Sequence, residues 1–360
     1  MPGSFYLPIY LTVISLLTCV QYTYYKRSNY GFLASRRVVD PVNSFLFAVL
    51  VGVFIGLRPQ YWGFVDMNNY IDWYPVMWGY EFSFDWNAEN FLFDNLYSFM
   101  SCSGIHWHYF FLVIAFIYFG CMWYSCWRLF PYDTQVAFLT CLAAFSTFSY
   151  GTNGVKAGAA ASLFLTALSY RRNLLMTTLF LFLSLGFHHS MMLPIGAFIL
   201  AYFYRNTKVY FLVWGLCLLM AAAHITYFQN LLAGFSDERG TDYLLSVGND
   251  WGGKTGFRID FIIYSAMPIL VGYWAIFRRG VRSMFYEFVL SVYLITNAIW
   301  LLCMYANFTN RIAYLSWSMY PIVLIYPFLN ENFGKDRYKQ FAKVMLFHLL
   351  FTLFMEIVYY

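Results

Sequence analysis

Four basic residues stand where positive charge is least expected. Arg58, Lys156, Arg258 and Arg311 each lie at or just inside the end of a long apolar run. Charge in or near hydrocarbon is expensive, and it usually faces a partner, a cavity or a substrate. Lipid phosphates lie at that same depth. Arginine suits them, because its planar fork donates two parallel hydrogen bonds and stays ionised. For each residue alone, snorkelling to a headgroup or pairing with Asp66 or Asp260 is the plain alternative. Three arginines brought together would make a phosphate site.

Proton transfer needs a different residue type, and two places supply it. The stretch "FHHS" puts His188 and His189 at the end of an apolar run. Histidine is the natural proton acceptor near neutral pH. Adjacent helical residues diverge by about 100°, so the two histidines cannot form an i,i+4 metal pair. "HWH" (His106, His108) sits where a helix starts, and its side chains would share a face only in a strand. No metal and no other cofactor is expected. Asp66 is the second place, because Asp66, Tyr70 and Tyr74 recur at helical spacing just after Arg58. They could share one face near the same phosphate, with the tyrosines as acceptor-binding groups. Asp260 follows Arg258 by two residues. On a helix such positions point apart, so Asp260 either meets another span or caps the helix start.

The elements that must position these residues follow from composition. The 360 residues are 61% hydrophobic and only 11% charged, against roughly 25% charged for a soluble domain. Apolar runs able to cross a ~30 Å hydrocarbon core recur from one end to the other. The expected fold is an all-α integral membrane protein, a single polytopic domain over residues 1–360 with about twelve spans. They fall near 5–25, 41–57, 106–128, 134–150, 154–170, 174–188, 190–204, 209–229, 258–277, 285–305, 311–329 and 341–359. The first run lacks a basic leader and a small-residue cleavage site, so it reads as a retained span. "KAGAAAS" from Lys156 has the composition for close approach between membrane helices. Trp and Tyr cluster at the ends of apolar runs, as interfacial belts do. The seven cysteines show no metal-ligand spacing and imply no disulfide framework.

Lys and Arg concentrate in alternate loops, which places 16 of the 22 on one, cytoplasmic, side. Both termini then face out, with longer outer loops near 58–105 and 230–257. Arg58, Lys156, Arg258 and Arg311 are among the six basic residues left on the outer side. Within the first loop, Asn87 is a candidate N-cap for a short amphipathic helix whose Leu92, Phe93, Leu96, Phe99 and Met100 form an apolar face. Of that loop's carboxylates, Asp66, Asp72, Glu81, Asp85, Glu89 and Asp94, most read as a solvated face, with Asp66 the exception. The second loop holds "GNDWGGKTG", which fits G-x-x-x-x-G-K-[ST] from Gly248 to Thr255. A phosphate loop needs a preceding strand and a following soluble helix. Here a membrane span follows, away from cytoplasmic ATP, so the stretch reads as a glycine-rich turn. No ATP or nucleic-acid binding is expected, and the net charge of +5 is mainly the topology signal.

Several of these segments resemble one family. "GLRPQYWGFVDMNNYIDWY" (56–74) is similar to the G-L-R…G-x-D-x-x-x-Y-x-x-x-Y signature of the EpsG-type, Wzy-like exopolysaccharide and O-antigen polymerases. "ENFLFDNLYSFM" (89–100) resembles the outer segment after it. "GVKAGAAASLFLTAL" and "FHHSMMLPIGAF" (187–198) resemble the small-residue span and the F-H-x-S segment. "GFRIDFIIYS" and "NRIAYLSWSMYPIVLIYP" resemble the two late Arg-bearing segments. Lys156-Ala157 stands where an Arg-Gln pair is usual, which keeps the charge but not the fork.

The resemblance implies a polymerase on the outer leaflet of a bacterial cytoplasmic membrane, in the biosynthesis of exopolysaccharide, capsule or O-antigen. Its substrate and partner would be undecaprenyl-pyrophosphate-linked oligosaccharide among membrane lipid. A chain-length regulator and a flippase of the same pathway would be further partners. Arg58, Lys156, Arg258 and Arg311 would hold the pyrophosphate, and Asp66, His188 or His189 would take the acceptor proton. Tyr70, Tyr74 and Asp260 would support them. Direct displacement would invert the anomeric centre without a metal. Two rivals come from other classes: a lipid-linked oligosaccharide flippase, and a ligase passing the finished glycan to another acceptor. Transporters usually carry repeats and midplane charges, which favours surface chemistry here.

Overall fold

The computed structural model describes residues 1–27, 40–233, 256–332 and 334–359. Among these residues every regular element is helical. In hydrocarbon a segment must bond its own backbone, and a helix is how a single segment does so. Six helices are long and apolar enough to cross a membrane: Gly3–Arg27, Trp107–Leu129, Ile259–Arg278, Met284–Leu302, Thr309–Asn330 and Arg337–Val358. Five shorter apolar helices accompany them, at Pro41–Gly56, Val155–Ser169, Leu174–Phe187, His189–Phe203 and Thr207–Ala222. The architecture is a multi-pass helical membrane protein, with six full-length candidate spans among the described residues.

Two expected spans differ in form. The run 134–150 is two short helices, Thr134–Leu142 and Thr147–Thr152. The break is tolerated because hydroxyls take up the freed carbonyls. Thr147 Oγ1 donates to Cys141 O and Thr352 Oγ1 to Ala143 O, both at 2.7 Å. The run 209–229 ends at Ala222, and His224 beyond it takes a φ of 56°. The glycine-rich stretch 248–255 lies outside the described residues, as do Arg239 and Lys254.

The chain divides into two compact units, Met1–Met192 with Phe328–Tyr360, and Leu193–Pro327. The first contains α1 (Tyr6–Arg27), α2 (Asp40–Gly56), α3 (Val65–Trp73), α4 (Phe91–Cys102), α5 (Trp107–Leu129), α6 (Thr134–Leu142), α7 (Thr147–Thr152), α8 (Val155–Ser169) and α9 (Leu174–Phe187). Helix α8 packs between α5 and α9 with Ala159, Ala160 and Ala161 buried. Small side chains let backbones approach and hydroxyls cross. Ser162 Oγ reaches Ile117 O at 3.3 Å and Ser184 Oγ reaches Ala160 O at 2.7 Å.

The second unit contains α10 (Met192–Phe203, from its second residue on), α11 (Thr207–Ala222), α12 (Tyr227–Ala233), α13 (Ile259–Tyr273), α14 (Met284–Leu302) and α15 (Thr309–Trp317). Helix α16 (Tyr320–Asn330) begins in this unit and ends in the first. A chain of buried polar groups ties it together. Trp214 Nε1 donates to Asn297 Oδ1 at 2.7 Å, and Asn297 Nδ2 donates to Ser316 Oγ at 3.0 Å. Trp317 Nε1 and Tyr293 Oη converge on Ser265, at 2.8 and 2.9 Å.

Gly158 marks the tightest requirement on α8, since a Cβ there would lie 2.6 Å from the Tyr150 carbonyl oxygen. Backbone cannot swing aside as a side chain can. Gly158→Val is expected to destabilise the protein by about 1–3 kcal/mol, read as a lowered thermal midpoint in detergent. A midpoint equal to wild type would show that α7 and α8 approach less closely than described.

Candidate functional site

Arg58 follows the end of α2 and is fully buried. Its guanidinium donates to Ile55 O at 2.8 Å and to Thr152 O at 2.7 Å. It also lies 4.8 Å from the Phe111 ring and 5.7 Å from that of Phe64. No carboxylate reaches it among the described residues, and its Nε–H has no hydrogen-bond partner. Burial pulls this guanidinium down to about 9, so it stays charged at neutral pH. The arginine therefore joins the end of α2 to the last residue of α7. Nearby, Asn153 Nδ2 donates to Gly63 O at 3.4 Å. Together these bonds fix the turn that leads into α8.

Lys156 sits in the first turn of α8, where the helix dipole is positive and a cation is disfavoured. Asp94 of α4 offsets that, with an Nζ–Oδ1 distance of 3.0 Å. The lysine side chain is 18% exposed, and it also lies 4.9 Å from the Phe93 ring. The second oxygen of Asp94 accepts the Asn90 N–H at 3.1 Å. Asp94, with its side chain 36% exposed, is thus held on both oxygens. The short helix also starts later than the sequence suggests: Asn90, not Asn87, is its N-cap, and the Asn90 side chain does not cap it. Its buried face is Phe93, Tyr97 and Met100, while Phe99 is 48% exposed.

The Asn90 side chain is spent elsewhere. Its Oδ1 accepts the His189 N–H at 2.9 Å, across 99 residues of sequence. His189 opens a single 3-10 turn, His189–Met191, that follows α9 and packs against α8. His188 caps that turn: its Nδ1 accepts the Ser190 N–H at 3.1 Å and lies 2.8 Å from Ser190 Oγ. Gly186 lets α4 close on this corner, since a Cβ there would lie 2.6 Å from Leu92 and 2.9 Å from Phe91. Lys156, His188 and His189 thus share one neighbourhood, organised by Asn90 at the N-cap of α4 and Asp94 in its first turn, neither of which stood out in the sequence. Asn90 and Asp94 are four apart at a helix start, which is a local signal, but their partners lie far along the chain.

Asp66 lies half-buried in the first turn of α3. Tyr70 packs on Phe93, Tyr97 and Phe111, at 5.6, 5.9 and 6.3 Å between centroids. Tyr74 lies beyond α3 and is 1% exposed, and its hydroxyl makes no hydrogen bond. Burial pushes its phenol up to about 12. Tyr70 and Tyr74 are therefore packing residues in this conformation, joined to α4 by Tyr97 Oη on Tyr70 O at 2.7 Å.

In the second unit, Arg258 pairs with Asp260 through both oxygens, Nε–Oδ1 at 2.9 Å and Nη2–Oδ2 at 2.5 Å. This corrects the expectation that the two point apart. Arg258 is the residue before the helix, with φ −86° and ψ 82°, so helical spacing does not govern it. Its guanidinium also lies 3.6 Å from the Phe261 ring. Arg311 is exposed, with its guanidinium 4.8 Å from the Phe308 ring. At the start of α5, His106 and His108 approach to 2.9 Å between Nδ1 atoms, because His106 is an extended N-cap rather than a helical residue. Among the described residues no group of three potential metal ligands forms.

The six long apolar helices and the run of shorter ones make the chain a multi-pass membrane protein. The EpsG family model matches residues 41–360, and the chain belongs to the EpsG family. No curated protein and no solved structure matches it.

Arg58→Ala would strand two buried carbonyls and leave a void. It is expected to cost about 3 kcal/mol or more, and Arg58→Lys a smaller amount, because one ammonium cannot span both acceptors. Thermal unfolding in detergent measures this. A midpoint unmoved in Arg58→Ala would show that the guanidinium does not join α2 to α7.

Proposed function

We propose that the chain is a polysaccharide polymerase working at the outer face of a bacterial cytoplasmic membrane. It transfers a growing glycan from undecaprenyl pyrophosphate to a hydroxyl of the next lipid-linked repeat unit. Family membership supports the reaction class. The observation that carries the chemistry is the start of α8, where a partly exposed lysine stands at the positive end of a helix beside a histidine turn. Helix N-termini favour phosphate groups, and a fixed cation there stabilises charge that develops on a leaving pyrophosphate.

In the step itself, the acceptor oxygen bonds to the anomeric carbon and the carbon–oxygen bond to pyrophosphate breaks. The electron pair leaves on the pyrophosphate oxygen, and the acceptor proton passes to Asp66, His188 or His189. One direct displacement inverts the anomeric centre. Lys156 is the phosphate ligand of the first unit, with Arg58 holding the turn before it. Arg58 has a spare buried Nε–H. In the second unit Arg311 is assigned to phosphate, and Arg258 reaches phosphate only in competition with Asp260. The reaction uses no nucleotide and no metal.

Purified protein in detergent, given a synthetic lipid-pyrophosphate repeat unit with EDTA and no nucleotide, is expected to build a ladder of products. Lys156→Gln and Arg311→Ala are each expected to slow it by about 100-fold or more, the size seen when one preorganised charge-stabilising group is removed. A ladder unaffected by either change would discard the site and keep the function. No ladder, with lipid-linked oligosaccharide crossing vesicle bilayers instead, would mean a flippase.

A further inference from the structure

We infer that His189, not His188, is the base that takes the acceptor proton, and that Asn90 is the positioning residue that holds it. The inference rests on the polymerase reading and deepens it. Two adjacent histidines look equivalent in sequence, but their hydrogen bonds separate them. A backbone N–H can only donate. Because Ser190 N–H donates to His188 Nδ1 at 3.1 Å, that nitrogen presents its lone pair inward. In the neutral ring the proton is then on Nε2, which can donate but not accept. His188 is therefore a turn cap whose other ring nitrogen carries the proton.

His189 is different. Its ring is half-buried, and among the described residues it makes no hydrogen bond, so a nitrogen lone pair is open to an incoming hydroxyl. What is fixed is its backbone. His189 N–H donates to Asn90 Oδ1 at 2.9 Å, and Asn90 is only 5% exposed. Asn90 N–H is itself held by Asp94, the partner of Lys156. One turn of α4 thus fixes both the base-bearing turn and the phosphate-facing lysine. A base must be held within hydrogen-bond reach of its proton, and here the holding group is a buried amide on a separate helix. The titratable groups on elements packed against the turn are Lys156 on α8, Asp94, Tyr97 and Cys102 on α4, and His188 beside it; α9 carries none. Proton transfer balances simply: the acceptor hydroxyl gives its proton to His189 as its oxygen bonds to the anomeric carbon, and the electron pair departs on pyrophosphate.

The test is the pH–rate profile of ladder formation for four variants. His188→Asn keeps a cap acceptor for Ser190 N–H, so its acid limb is expected to survive. His189→Asn is expected to lose that limb together with at least 100-fold in kcat, at little cost in KM. Asn90→Ala is expected to lower kcat about 10-fold. Asn90→Asp keeps the oxygen that accepts His189 N–H but adds a negative charge, which favours the imidazolium. Its rate should recover above that of Asn90→Ala, with the acid limb displaced to higher pH by about half a unit or more. An acid limb that persists in His189→Asn would overturn the assignment of the base.

Carbon-13 labelled histidine allows a second readout that needs no turnover, with the His189 signal assigned from its loss in His189→Asn. Its titration is expected at higher pH in Asn90→Asp than in wild type, and an unchanged midpoint would overturn the role of Asn90. A wild-type protein that builds no ladder at any pH would sink the polymerase reading and the base assigned within it. The titration would still decide whether Asn90 holds His189.

Discussion

A charge set among apolar side chains must be held by fixed polar partners, and this constraint organises the described structure. Three cations meet it in three ways. Arg58 is wrapped by two backbone carbonyls and two aromatic rings. Lys156 takes a carboxylate from another helix, and Arg258 takes one from two residues along its own chain. The solutions differ in what they leave over. Arg258 is closed by a two-pronged pair, whereas Lys156 has a single carboxylate oxygen and keeps part of its side chain open. This difference is why the proposed function gives the phosphate of the first unit to Lys156.

The same constraint explains the irregular helices. Where α6 stops and α7 begins, threonine hydroxyls occupy carbonyls that an unbroken helix would have used. The corner after α9 is similar, with a histidine nitrogen and an asparagine oxygen taking up backbone N–H groups. Interrupted helices cost little where side chains re-satisfy the backbone. They also allow polar groups to gather inside an otherwise apolar unit. The proposed chemistry sits at one such corner, and the small residues of α8 let its neighbours close around it.

Much of this was legible in the sequence, because it depends on composition and local pattern. Low charge and recurrent apolar runs predict a helical membrane protein, and the order of short segments predicts the family. Lys156 and the histidine pair stand out by type alone. The misreadings share one cause, since each depends on where a helix begins. Arg258 and Asp260 meet because Arg258 lies outside the helix, and His106 meets His108 for the same reason. Asn90 rather than Asn87 stands at the start of α4, and its side chain does not cap that helix. The partners of Asp94 and Asn90 lie 62 and 99 residues away, so no periodicity could have paired them. Tyr70 and Tyr74 do carry helical spacing, and in the described structure their rings meet those of α4.

The central claim is that lipid pyrophosphate is the leaving group of a glycosyl transfer assisted by protein cations. The most direct measurement is a single-turnover reaction between two differently labelled lipid-linked repeat units in EDTA, followed by phosphorus NMR. One undecaprenyl pyrophosphate is expected to be released per new glycosidic bond, with inverted anomeric configuration. Bond formation without pyrophosphate release, or release only when a divalent metal is supplied, would contradict it.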